Sequence, residues 1–360
     1  MKTELYNARL GAEDRYVCVV AEEGRITAVL PRGETTGASR RIDAEGARLF
    51  PGLIDIHSHG CVGYDTMEVG HLAEMGAYYL QNGITTWYPT TMTASREAIA
   101  AVLAQEIPQD PEIARIPGYH LEGPYLSESH RGAQNALYIR DPDREEVAAW
   151  QHVALLTLAP ERPGGEELIR YCHAKGIRVA LGHTGCDYAQ ACAAFAAGAD
   201  CLTHTCNAMP PLLHRAPGPI GAAIDSNAYA QVICDGLHIA RSMITVLYRS
   251  FGAGRMILIS DSMQSTGLGD GDYIFGEQPV TVRSGVARTA EGALAGSTTN
   301  LFGCVQKAIS FGIPPADAFR MASETPASMM GLRKGRIEAG YAAEFVLVDD
   351  AYCLLRTLLL

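Results

Sequence analysis

Aromatic side chains are scarce, at 7% of the 360 residues with only two tryptophans. Basic residues are also in the minority, 29 Lys and Arg against 40 Asp and Glu, giving a formal net charge of −11. Nucleic-acid affinity rests on neutralising phosphates with Lys and Arg, so this balance argues against a nucleic-acid partner, and any anionic ligand must be held by a local cluster. The opening MKTELYNARL lacks the apolar stretch of a signal peptide. No later run approaches the roughly 18 apolar residues that cross a bilayer, so no membrane segment and a cytoplasmic location are expected. The ten cysteines are spread from Cys18 to Cys353 without a single C-x-x-C pair. That spacing speaks against a disulfide framework or a structural zinc knot and suits reduced, buried small hydrophobes.

What is present points to a parallel α/β protein. Hydrophobic residues make up 48% of the chain, and 37 Gly with 18 Pro supply many short turns. Eight apolar runs stand out: Leu53–His57, Ile84–Pro89, Ile116–Glu122, Val153–Ala159, Arg178–His183, Cys201–Thr205, Gln231–Asp235 and Met256–Asp261. Segments of helical periodicity separate them, among them Glu97–Gln105, Glu166–Lys175, Tyr188–Ala197 and Ala240–Ser250. Eight such repeats specify a (β/α)₈ TIM barrel over residues 53–335 better than a doubly wound sheet. A hairpin signal over Tyr16–Val20 and Ile26–Leu30, and a strand-like Ala342–Val348, predict that residues 1–52 and 336–360 share a small β-sandwich domain.

Most runs end in side chains that bind metals or move protons, where a core would waste them. The C-terminal strand ends of a TIM barrel converge on one mouth, so these residues meet there. His57 and His59 stand two apart, the spacing that lets both face the axis and chelate one cation. Glu122 ends the third run just before Gly123-Pro124, and its carboxylate can bind or bridge divalent ions. His183 and His204 close the fifth and sixth runs at equivalent positions, which favours metal ligation over two unrelated core histidines. Asp261 closes the eighth, placed to take a proton from an attacking water and pass it to a leaving amine; a helix cap is its bland alternative. His238, after the seventh run, can polarise a scissile carbonyl.

Together these residues resemble the amidohydrolase superfamily, and within it the N-acetylglucosamine-6-phosphate deacetylase family. The resemblance is carried by PGLIDIHSHG (51–60), HLEGPYLS (120–127), LAPE (158–161), GHT (182–184), THTCNAMPP (203–211), DGLH (235–238), SDS (260–262), LAGS (294–297) and SETPA (323–327), in that order and spacing. It implies that Glu122, His183 and His204 are metal ligands, and that His57 and His59 can hold a second ion with Glu122 as the bridge. It further implies Asp261 as the catalytic aspartate, His238 as the histidine that contacts sugar and acetyl carbonyl, and Asn207 and Ala208 as substrate contacts. Arg215 stands where the family keeps a phosphate-binding arginine, in a site that a neighbouring subunit often completes, so a homodimer is implied. One or two divalent ions follow, zinc foremost, with iron, manganese or cobalt as alternatives.

One departure matters. After the HLEGP segment the family carries a G-A-H or G-T-H triplet whose histidine lies near the substrate, whereas this chain has Gly132-Ala133-Gln134. Gln134 can donate a hydrogen bond to substrate but cannot carry charge, which leaves phosphate dependence and the preferred sugar open. The reading that follows is hydrolysis of the N-acetyl group of N-acetylglucosamine-6-phosphate. Its rivals are an amidohydrolase acting on another N-acyl amino sugar, such as N-acetylgalactosamine-6-phosphate, or on a different amide, and a catalytically silent binding protein on the same scaffold.

Overall fold

The computed structural model describes residues 1–34 and 37–360. At its centre lie eight strands: β1 (Leu53–Ser58), β2 (Ile84–Thr91), β3 (Tyr119–Glu122), β4 (Val153–Leu158), β5 (Arg178–Leu181), β6 (Cys201–Leu202), β7 (Tyr229–Ile233) and β8 (Met256–Ile259). They pair in chain order, all parallel. The backbone N–H of Asp261 donates to the carbonyl of His57 at 2.9 Å, tying the end of β8 back to β1 and closing the (β/α)₈ barrel. The strands are buried nearly throughout, as parallel strands covered on both faces must be. Their alternation divides the apolar residues between two cores: in β8, Met256 and Leu258 join the helix-facing cluster, while Ile257 and Ile259 join Leu155, Ala180 and Cys201 in the other.

The predicted runs match these strands, but the last five, for β4 to β8, run one to three residues past the strand end. β5, β6 and β8 stop two residues before His183, His204 and Asp261, which take φ of 47°, 25° and 49°. Left-handed backbone cannot continue a ladder, so these side chains sit on the first bend past each strand and turn over the barrel mouth. Gly182, just before His183, is required by packing: a Cβ there would lie 2.5 Å from that of Thr203.

The two chain ends share one seven-stranded sheet. Lys2–Leu10 pairs antiparallel with Tyr16–Glu22 on one edge, and parallel with Arg40–Asp43 and then Arg48–Pro51 on the other. Arg48–Pro51 in turn pairs with Glu344–Val348 from the far end of the chain. This sheet has its own apolar cluster, including Leu5, Val19, Ile26, Leu49, Phe345 and Leu358.

A third sheet lies outside the predicted elements. Gly271–Phe275, Gln278–Arg283 and Val286–Thr289 form an antiparallel meander after β8. Its two-residue turns, Gly276-Glu277 and Ser284-Gly285, have positive φ at both positions, the turn that matches strand twist. The meander packs over the barrel mouth through Met92, Ala133, Met263 and Phe275. Among the described residues no helix is long and apolar enough to cross a membrane.

Candidate active site

Two groups of buried donors meet at the mouth. In one, the ligand atoms of His57, His59 and Asp261 lie within 4.8 Å of one another; in the other, those of Glu122, His183 and His204 do. Glu122 joins them, its Oε1 standing 3.0 Å from His204 Nε2 and 3.3 Å from both His183 Nε2 and His57 Nε2, and its Oε2 3.3 Å from His59 Nε2. Asp261 Oδ1 is 3.5 Å from His57 Nε2 and 3.3 Å from His59 Nε2. All six residues are buried.

The back of each ring decides what its front can do. His57 Nδ1 lies 3.1 Å from Gln231 Oε1, His59 Nδ1 3.1 Å from the Thr90 carbonyl, and His183 Nδ1 2.9 Å from the His130 carbonyl. Each of these oxygens can only accept, so Nδ1 carries the proton and a neutral ring presents a bare lone pair at Nε2. Yet the Nε2 atoms of His57 and His59 are 3.3 Å apart, and those of His183 and His204 3.0 Å. For His57 and His59 the lone pairs face one another beside carboxylates and call for a positive charge between them, a proton or a cation; His204 Nδ1 has no hydrogen-bond partner, so its Nε2 can carry a proton towards Glu122 or His183. With three of the four rings fixed from behind, this set of nitrogen and oxygen donors fits a divalent metal ion.

The titration shifts express the same demand. Burial alone would lower the His59 pKa, but hydrogen bonds and charge from Asp261 and Glu122 push it up to about 10. Burial opposes ionisation of Glu122 too, and the charges of His57 and His183 outweigh it, holding the carboxyl well below the usual range. Asp261 is likewise kept low by His57 and His59 against its burial. One layer deeper, His120 packs edge-on against His57 with ring centroids 4.6 Å apart, and its Nε2 lies 2.7 Å from Thr157 Oγ1. Burial and the neighbouring His57 charge lower its pKa well below the usual value, so it stays neutral.

A cavity of about 160 Å³ opens over these groups, lined by Asn207, Ala208, His238 and Gln134 together with the donors other than His57. His238 Nδ1 lies 2.7 Å from Asp235 Oδ2. Burial would lower the pKa of His238, but that hydrogen bond and the Asp235 charge raise it. Asn207 Nδ2 donates to the His204 carbonyl at 3.1 Å. Arg215 is exposed on the loop after β6 and is not among the lining residues. Gln134 is only 2% exposed, and its amide is turned to Glu122.

Asp235, Gln231 and Phe275 also belong to the site, although they lie outside the predicted set of site residues. Asp235 had a signal, the i, i+3 spacing to His238. Gln231 opens the predicted seventh run as a polar residue two places before Ile233, on the alternation that faces the axis. Phe275, carried in by the meander, lines the cavity and meets the His59 ring edge-on at 5.1 Å between centroids.

Comparison with known proteins agrees with this geometry. Residues 48–358 match the model of the Amidohydrolase family. A protein of Vibrio furnissii called N-acetylglucosamine-6-phosphate deacetylase is 38% identical over 358 residues, spanning 95% of this chain and 88% of the relative. An N-acetylgalactosamine-6-phosphate deacetylase of Escherichia coli O157:H7 is 36% identical over 84% of each chain. A mutant N-acetyl-D-glucosamine-6-phosphate deacetylase of Mycobacterium smegmatis, solved in complex with N-acetyl-D-glucosamine-6-phosphate, superposes with a TM-score of 0.91 at 30% identity, covering 99% of this chain and 97% of that one.

Proposed function

The chain belongs to the amidohydrolase family, and from that premise we propose that it hydrolyses the N-acetyl group of N-acetylglucosamine-6-phosphate to glucosamine-6-phosphate and acetate. The observation that carries this reading is the convergence of His57, His59, Glu122, His183, His204 and Asp261 beneath one small cavity that also holds His238. The similarity to the Vibrio furnissii relative supports the substrate class. The galactosamine epimer is the second candidate, because a relative named for it is nearly as similar.

Glu122, His183 and His204 would hold one divalent cation, and His57, His59 and Asp261 a second, with Glu122 between them. We assign zinc first. When bound, such a cation supplies Lewis acidity, making water nucleophilic near neutral pH and polarising the acetyl carbonyl. Asp261, held ionised, is the base that takes the proton of the attacking water. His238 has its Nδ1 engaged by Asp235 and so offers its other ring nitrogen to the substrate, stabilising the oxyanion of the tetrahedral intermediate. As that intermediate collapses, Asp261 returns the proton to nitrogen, so that an amine leaves instead of an amide anion.

Asn207 and Ala208 are assigned to the sugar and Arg215 to the phosphate, completed across the interface of a homodimer in the cytoplasm. Residues 1–52 with 336–360 are assigned to a small β domain and 53–335 to the catalytic barrel, which the separate apolar cluster of the end sheet supports. The test is free-amine release by metal-analysed protein from N-acetylglucosamine-6-phosphate, its galactosamine epimer and the unphosphorylated sugars at equal concentration. Strong preference for one phosphorylated hexosamine upholds the reading; activity confined to other acylated compounds removes the substrate while leaving the metal chemistry in place.

A further inference from the structure

Gln134 lines the cavity, but neither end of its amide is free. The Thr93 backbone N–H donates to its Oε1 at 2.7 Å, and its Nε2 stands 2.5 Å from Glu122 Oε2. A backbone N–H can only donate, so the amide oxygen must face Thr93, and the NH₂ group is thereby turned to Glu122 without an alternative flip. The second N–H of that group points towards Met92 Sδ, at 3.6 Å. The segment that carries Gln134 is itself anchored. Gln134 N donates to the Arg131 carbonyl, Gln278 Nε2 from the meander donates to the Ala133 carbonyl at 3.2 Å, and a Cβ on Gly132 would lie 3.4 Å from His183 Cε1.

We infer that Gln134 is a positioning residue, a fixed neutral donor that holds one oxygen of Glu122 so that the other faces His183 and His204. A hydrogen bond to a buried carboxylate is charge-assisted and short, and it removes the torsional freedom that would otherwise let Glu122 swing away from the two rings. A neutral donor does this without adding positive charge next to a cation. Gln134 therefore acts on the substrate only through Glu122, and the replacement of an ionisable ring by an amide at this position is a change in how a ligand is oriented, not the loss of a phosphate contact. The inference rests on the proposal that Glu122, His183 and His204 hold a cation.

The experiment is a Co²⁺ titration of metal-free protein, followed by absorbance, with His183→Asn identifying the equivalent bound at that cluster. Gln134→Met, similar in size but without a donor, is expected to weaken this equivalent by about 10- to 100-fold. It should lower turnover at limiting Co²⁺ and leave KM for N-acetylglucosamine-6-phosphate unchanged once Co²⁺ saturates. Parent-like Co²⁺ affinity in Gln134→Met with a raised KM overturns the inference and makes Gln134 a substrate contact. If Gln134→Met does not fold, Gln134→Ala is read in the same way. If the parent takes up no Co²⁺ that His183→Asn removes, it is the cluster assignment that fails, a result distinct from either of these.

Discussion

Asp235 Oδ2 lies 2.7 Å from His238 Nδ1, and Asp235 Oδ1 also accepts the backbone N–H groups of Leu237 and His238 at 2.8 and 3.0 Å. One carboxylate thus shapes the turn after β7 and fixes the ring that it carries into the cavity. Burial opposes charge on both partners, yet their pairing holds the Asp235 pKa low and the His238 pKa high.

A pH dependence follows from that pair. The folded pKa of His238 is raised above its unfolded value, so the ring's contribution to stability is complete below the unfolded pKa and is lost as pH rises through the folded one. In Asp235→Asn the His238 ring is expected to titrate at lower pH than in the parent, a shift read directly by NMR on metal-free protein. The variant should also lose about 10²- to 10³-fold in kcat, the usual cost of an impaired oxyanion donor. An unmoved titration would sever the link between the two residues.

Asp261→Asn keeps the size of the side chain and removes the base. Turnover should fall by about 10²- to 10⁴-fold, while the ion at Glu122, His183 and His204 is retained on metal analysis. A variant that binds metal and keeps most of its turnover would remove Asp261 from the proton path.

Gln231 fixes the tautomer of His57 from β7. Gln231→Leu leaves Nδ1 without its acceptor, so affinity for an ion at His57, His59 and Asp261 should drop by about 10- to 100-fold, with the His183 cluster less affected. Metal stoichiometry under a graded chelator series reads the difference.

Chelation should abolish amine release and lower Tm, with both restored by added Zn²⁺. An ion present at about 100 times its Kd stabilises the folded state by about 2.7 kcal/mol, enough to show clearly in a thermal scan. Activity that survives exhaustive chelation would contradict the donor assignment.

The parts of this molecule that were legible in the sequence are those with strong local signals. Apolar runs ending in His57, Glu122, His183, His204 and Asp261 announce both the barrel and its mouth, because parallel strands buried on two faces cannot hide a polar terminus without a purpose. The N-terminal strand Lys2–Leu10 carries no clear strand pattern, because polar and charged residues recur along it and a bulge falls between Leu5 and Ala8. The meander was readable in principle, since FGEQ and RSGV are two-residue hairpin turns between alternating segments. What no local pattern carries is the support behind the rings. The Thr90 and His130 carbonyls are backbone atoms of any residue, and Gln231 reaches His57 from 174 positions away. The place of Gln134 in the chain suggests a substrate contact; the partners of its amide, Thr93 and Glu122, are visible only in the fold.

The most direct test of the central claim is kcat/KM for amine release from N-acetylglucosamine-6-phosphate by the zinc-loaded parent, measured beside His183→Asn loaded in the same way. The account predicts efficient, zinc-dependent release by the parent, with acetate formed in equal amount, and its collapse in His183→Asn. A zinc-loaded parent that releases no amine from this sugar phosphate or its galactosamine epimer, or a His183→Asn variant that matches the parent, would contradict it.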